Sequence, residues 1–211
     1  MGIVAKQSIY NTVIIFTGAF LGAINILFLF PIILPDEEIG LTRLLLSFTV
    51  IFSQFASLGS QSMLVKFIPK FRVNFTYKGS ATYIFKISII GFIVSTLMLF
   101  FGKPIFDYFY LDNSSLFITY FFYLIPLILF QILINYFSGF LQALFKSVFP
   151  LFVNEILIRV LQTIILILFY FSYIDFEIFM LLFVLNYAIT SSVLLLFIFI
   201  KKYFKFNFQD K

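Results

Sequence analysis

Apolar runs of twenty or more residues recur along this chain, separated by short polar breaks. A helix needs roughly 20 mainly apolar residues to cross a bilayer. The pattern predicts six spans, at about 9–34, 40–65, 81–101, 115–139, 149–172 and 177–200. The breaks carry turn chemistry: "LPDEEIG" (34–40), "KFIPKFRVNFTYKGS" (66–80), "GKPIFDYFYLDNSS" (102–115), "FKSVFP" (145–150) and "SYIDFE" (172–177). A basic tail, "KKYFKFNFQDK" (201–211), follows. The first apolar stretch is too long for a signal peptide and no small-residue cleavage site follows it, so a retained helix is expected.

Periodicity then sorts the polar residues inside the spans. At about 100° per residue, positions i, i+4, i+7, i+11, i+14 and i+18 share a helix face. In span two, Arg43, Ser47, Gln54, Ser57 and Gln61 fall on one such line, with Val50 its only apolar member. A polar line of that length faces protein or water, as a packing seam or as an aqueous path. Span four carries Gln131, Asn135, Ser138 and Gln142 in the same spacing, and span five carries Glu155, Arg159 and Gln162, with Asn154 to one side. Span one has Gly18, Gly22 and Asn25 on one face, and its "GAFLG" spacing lets another helix approach closely. Span six offers Asn186 and Thr190.

Each line has a structural reading, since interhelical hydrogen bonds hold membrane bundles together at about 0.6–2 kcal/mol each. Glu155 and Arg159 stand at i and i+4, where they can bridge within one helix. A pair of this kind lowers the cost of both charges in hydrocarbon and straps the lobe; proton relay or substrate contact is the other reading.

Composition agrees with membrane residence. Of 211 residues, 63% are hydrophobic and 11% charged, against about 25% charged in soluble domains. Thirty-five phenylalanines serve as lipid-facing and packing material. The absence of Cys and His removes disulfides, thiol catalysis and His-based metal sites. No metal-ligand cluster, phosphate loop or nucleophile–base set is present, and "GSQS" (59–62) lacks the strand-turn context of a nucleophile elbow. The net charge of +5 is a matter of topology rather than of nucleic acid. With the N-terminus cytoplasmic, Lys6, Lys66, Lys70, Arg72, Lys78, Lys86, Lys146, Lys201, Lys202, Lys205 and Lys211 fall inside. Lys103 and Arg43 fall toward the outside, with Asp36, Glu37, Glu38, Asp107, Asp112, Asp175 and Glu177. The positive-inside rule then predicts both termini in the cytoplasm. The basic, aromatic segment 66–80 is expected to lie on anionic headgroups.

Several stretches together resemble the polysaccharide (O-antigen type) flippases of the multidrug/oligosaccharidyl-lipid/polysaccharide exporter superfamily, which is MATE-like in fold. They are "KQSIYNTVIIFTGAFLGAINILFLFPIIL" (6–34), "PDEEIGLTRLLLSF" (35–48), "FASLGSQSMLVKFIPKFR" (55–72) and "SGFLQALFKSVFPLFVNEILIRVLQTIIL" (138–166). Such flippases have twelve to fourteen helices in two lobes. The resemblance therefore implies an all-α, six-helix N-terminal lobe in the cytoplasmic (inner) membrane. A C-terminal lobe or a second chain would complete it. It also implies a transporter rather than an enzyme, with no cofactor. Its substrate would be a lipid-linked oligosaccharide of polyprenyl pyrophosphate type, carried for surface polysaccharide or lipopolysaccharide biosynthesis. Carried onto this sequence, the substrate path is Arg43, Ser47, Gln54, Ser57 and Gln61, with Asn25 a weaker member. Gln131, Asn135, Glu155, Arg159 and Gln162 form a structural polar network. A drug/ion antiporter of the same superfamily and a membrane enzyme of polysaccharide assembly are the competing expectations.

Overall fold

A computed structural model describes residues 3–72, 77–110 and 115–201. Every regular element among them is helical. Six helices are long and apolar enough to cross a membrane: Lys6–Ile33, Asp36–Ser57, Gly79–Tyr110, Phe121–Ala143, Val148–Tyr170 and Phe176–Ile200. They are spans one to six below. Asp112, Lys202, Lys205, Lys211 and the side chains of Lys70, Arg72 and Lys78 lie outside the described residues, as does most of the basic tail.

Several boundaries differ from the sequence expectation; span four, expected at 115–139, runs over Phe121–Ala143 after a short separate helix, Ser115–Thr119. Span two does not run from 40 to 65. It ends at Ser57, and a second helix, Ser60–Arg72, starts after a sharp break. Leu58 (φ 47°) and Gly59 (φ 74°) are both left-handed there. A left-handed residue just past a helix end is a common terminator, and glycine takes it without steric cost. Span three continues to Tyr110, through a segment read as loop. Pro104 sits inside this helix, and aromatic packing favours its continuation. Phe106 meets Phe48 at 5.3 Å and Phe121 at 5.1 Å between ring centroids, while Tyr110 meets Phe117 at 5.0 Å. Such pairs add about 0.5–1.5 kcal/mol each beyond area burial. Finally, the connection 66–80 is helical as far as Arg72 and again from Tyr77.

Span four is the most enclosed and forms the centre. Spans two, three and six pack against it, together with the Ser60–Arg72 helix. Span five packs on span six and receives span one on its other side. Spans one and two meet near the turn that joins them, where Phe30–Ile33 reaches Asp36–Ser57. Two close approaches set the packing. Gly91 of span three lies against the Ala56 carbonyl, leaving no room for a Cβ. Gly139 of span four receives Gln61, whose Cγ would stand 2.9 Å from a Cβ there.

The two ends of the bundle differ in charge. Gln7 Nε2 donates to the Phe145 carbonyl at 2.8 Å, and the Phe149 and Phe197 rings stack at 3.9 Å. These contacts gather residues 7, 145, 149 and 197 at one end, close to Lys6, Lys146 and Lys201. The acidic turn Asp36–Glu38 and the Tyr120–Phe176 ring pair mark the other end.

Candidate functional site

Two spans carry π-helical turns. Span one contains a π-helical turn at Asn25–Leu29, and span five contains one at Val153–Leu157. π-Turns accommodate one extra residue per turn and recur at functional sites. Here each packs against the other span, and together they bring polar groups to half-depth. Arg159 stands midway between Val148 and Tyr170.

The Arg159 guanidinium is held on three sides. Its Nη2 pairs with Glu155 Oε2 at 2.9 Å. Its Nη1 donates to the Gly18 carbonyl of span one. Gly22 lies beneath it, where a Cβ would meet Nη1 at 2.7 Å. Gly18 makes room in the same way for Glu155, whose carbonyl oxygen would lie 2.8 Å from a Cβ. The "GAFLG" glycines are therefore the seat of the ion pair. One turn on, Asn25 Nδ2 donates to the Arg159 carbonyl at 3.1 Å and Asn25 Oδ1 accepts from Thr163 Oγ1 at 2.8 Å. An arginine at the centre of a membrane helix costs about 2.5–3.5 kcal/mol. The carboxylate and the carbonyl offset that cost locally, so the side chain need not reach for an interface.

Beside this clamp is a polar cavity of about 280 Å3 between spans four, five and six. Gln131, Asn135, Asn154, Arg159, Gln162 and Asn186 bring its polar groups. Gln131 Nε2 donates to Asn135 Oδ1 at 3.1 Å, Asn154 Nδ2 to Ser138 Oγ at 3.0 Å, and Asn186 Nδ2 to the Ile158 carbonyl at 2.9 Å. Asn154 Oδ1 and Asn186 Oδ1 are buried and accept no hydrogen bond from any described residue. Because Glu155 neutralises Arg159, the wall of the cavity is polar with little net charge. It suits a neutral, hydroxyl-rich group or water more than a free ion.

The span-two line is divided. Arg43, Ser47 and Gln54 lie exposed on one face, with Val50 between them. Ser57 is buried, and its hydroxyl turns back to the Gln54 carbonyl at 3.0 Å. Gln61 follows the left-handed break and packs on Gly139. The five-residue polar line is therefore continuous only as far as Gln54, because two residues with positive φ reset the phase of the helix. Arg43 does not line the cavity, and Asn25 is enclosed between spans one and five.

Sequence reasoning did not single out Thr163 or Tyr187. Tyr187 lines the cavity beside Asn186. Its place directly beside Asn186 was an available signal for it. Thr163 had its i+4 spacing from Arg159, whose carbonyl its hydroxyl also reaches at 2.9 Å. Among the described residues, no group of three or more His, Cys, Asp or Glu is arranged to hold a metal ion. Comparison with protein-family models, curated proteins and solved structures gives no match.

Proposed function

We propose that this chain is one six-helix lobe of a flippase that carries a lipid-linked oligosaccharide across the cytoplasmic membrane. The observation that carries the reading is the polar cavity at half-depth, bounded by a span with a π-turn. Transporters place their substrate sites near the bilayer midplane, beside interrupted helices. A neutral wall rich in amides fits sugar hydroxyls. The exposed Arg43, Ser47 and Gln54 fit a second surface, facing a C-terminal lobe or a second chain. There Arg43 supplies a cation for the pyrophosphate of the carrier lipid. The basic end of the bundle, with Lys6, Lys146 and Lys201, is the cytoplasmic end in this reading. Glu155 is the one acid in the middle of a span among the described residues, and it is committed to Arg159, which weighs against a cation–drug exchanger.

The test compares two arginines in cells that depend on this protein for surface polysaccharide. Arg43→Ala is expected to lower export roughly tenfold, in line with loss of one charge-assisted contact, at unchanged protein abundance. Arg159→Ala is expected to lower abundance first, because it breaks the clamp between spans one and five. Normal export by Arg43→Ala, or abolished export with normal abundance in Arg159→Ala, would overturn these roles.

A further inference from the structure

A second hollow, of opposite character, lies between spans three, four and six. Its volume is about 300 Å3, and Phe85 of span three, Phe130, Leu133 and Phe137 of span four, and Leu195 and Ile198 of span six supply most of its wall. Its few hydroxyl groups are largely engaged elsewhere: Tyr136 donates to the Ala81 carbonyl at 2.8 Å and Ser191 to the Ala188 carbonyl at 2.9 Å. The hollow therefore offers a ligand little but hydrocarbon.

Its dimensions decide what fits. The lining runs along span six from Ser191 to Phe199, about 12 Å at 1.5 Å per residue. That is close to the roughly 15 Å half-thickness of a bilayer's hydrocarbon core. The groove is thus about one leaflet long and walled by hydrocarbon, which fits a single extended acyl chain.

Its position supplies the headgroup. The groove starts near mid-depth, at Phe130 and Ser191, and opens toward the end of the bundle that carries Lys201. Lys201 follows the last residues of the lining on span six, and Lys86 follows Phe85 on span three; both are exposed. Two cations near the mouth of a dry channel one leaflet deep fit a lipid with an anionic headgroup. Long lysine stems reach the interface from positions of this kind.

We infer that the groove between spans three, four and six is a binding site for one acyl chain of an anionic phospholipid, with Lys86 and Lys201 on its phosphate. The site stands independently of what the polar cavity carries.

The experiment uses the full chain in nanodiscs of phosphatidylcholine with a trace of photoreactive phospholipid. The diazirine is placed midway along one acyl chain, and the headgroup is phosphatidylglycerol or phosphatidylcholine. Peptide mapping after illumination is expected to find the phosphatidylglycerol probe concentrated on Leu133 and Leu195 rather than on lipid-facing Phe16 and Phe101. Leu195→Trp, which fills the groove, should cut that labelling roughly tenfold, as expected when two buried methylenes lose their place. Should that variant fail to fold, Ser192→Trp at the exposed rim takes its place and must show the same loss. Lys86→Gln with Lys201→Gln should bring the phosphatidylglycerol signal down to the phosphatidylcholine level. Labelling as strong at Phe16 and Phe101 as in the groove, labelling indifferent to the tryptophan, or equal labelling by both headgroups in the unaltered protein would overturn the inference.

Discussion

Glycine decides how closely these helices approach, and the three tightest cases differ in what lies opposite. At Gly91 the neighbour is the Ala56 carbonyl, part of a helix backbone that cannot turn aside. At Gly18 it is the Glu155 carbonyl and Cβ, again largely backbone. At Gly22 it is the tip of the Arg159 side chain, which can shift further than a helix backbone although its ion pair and the Gly18 carbonyl hold it. A methyl group should therefore cost most at Gly91, less at Gly18 and least at Gly22. Overpacking of this kind costs about 1–3 kcal/mol, so Gly91→Ala should lower the melting temperature in detergent clearly, and Gly22→Ala only slightly. Thermal-shift chromatography of the three variants reads the order directly; a Gly22→Ala loss as large as that of Gly91→Ala would mean that the guanidinium is immobile. The ion pair itself was legible in the sequence, because i and i+4 spacing on one helix is local information. Its seat was not. Nothing in the spacing of Gly18 and Gly22 says which helix approaches them, since that depends on packing between segments far apart in the chain.

At the level of elements, the six spans were legible because hydrophobic length is a property of a window of sequence. What escaped was local backbone departure. A π-turn keeps the composition of the helix around it, so Asn25–Leu29 and Val153–Leu157 left no trace in the pattern. The break after Ser57 left a faint one, a single glycine in "SLGS", too little to interrupt a run that stayed apolar and helical in period. The consequence reached the site, because a polar line counted across the break joined Gln61 to residues it does not accompany. The break also holds a testable cost. Leu58 adopts φ 47° with an exposed side chain, a conformation that costs a residue with a Cβ roughly 1 kcal/mol. Leu58→Gly removes that cost and little packing, so it should stabilise the protein by about 0.5–1 kcal/mol. Gly59→Val, at φ 74°, should destabilise by at least as much, since a β-branched side chain is a poor fit to a left-handed backbone. Chemical or thermal unfolding of the pair checks both signs; a destabilising Leu58→Gly would show that the exposed leucine packs on something outside this chain.

For the molecule as a whole, the asymmetry of charge between its two ends is the property that any functional reading must respect. Lys6, Lys66, Lys86, Lys146 and Lys201 lie at or near one end, and Asp36, Glu37, Glu38, Asp175 and Glu177 at the other. Lysine and arginine flanking short loops set orientation during insertion, whereas acids contribute little; the acidic end is therefore a consistent companion rather than a second cause. If the basic end is cytoplasmic, the acyl groove belongs to the inner leaflet, where anionic lipids attract basic residues by about 1 kcal/mol each. Arg43 then stands nearer the outer side than the inner. Orientation thus links the two sites, and it can be measured cleanly because the chain has no native cysteine. Ser172→Cys, in the turn between spans five and six, should react with a membrane-impermeant maleimide in intact cells. Lys146→Cys, in the turn between spans four and five, should react only after permeabilisation. Both positions are exposed, so a failure to react reports the membrane and not burial. The reverse pattern would place the lysine-rich end outside, remove the inner-leaflet assignment of the groove and put Arg43 on the side from which a carrier lipid is loaded.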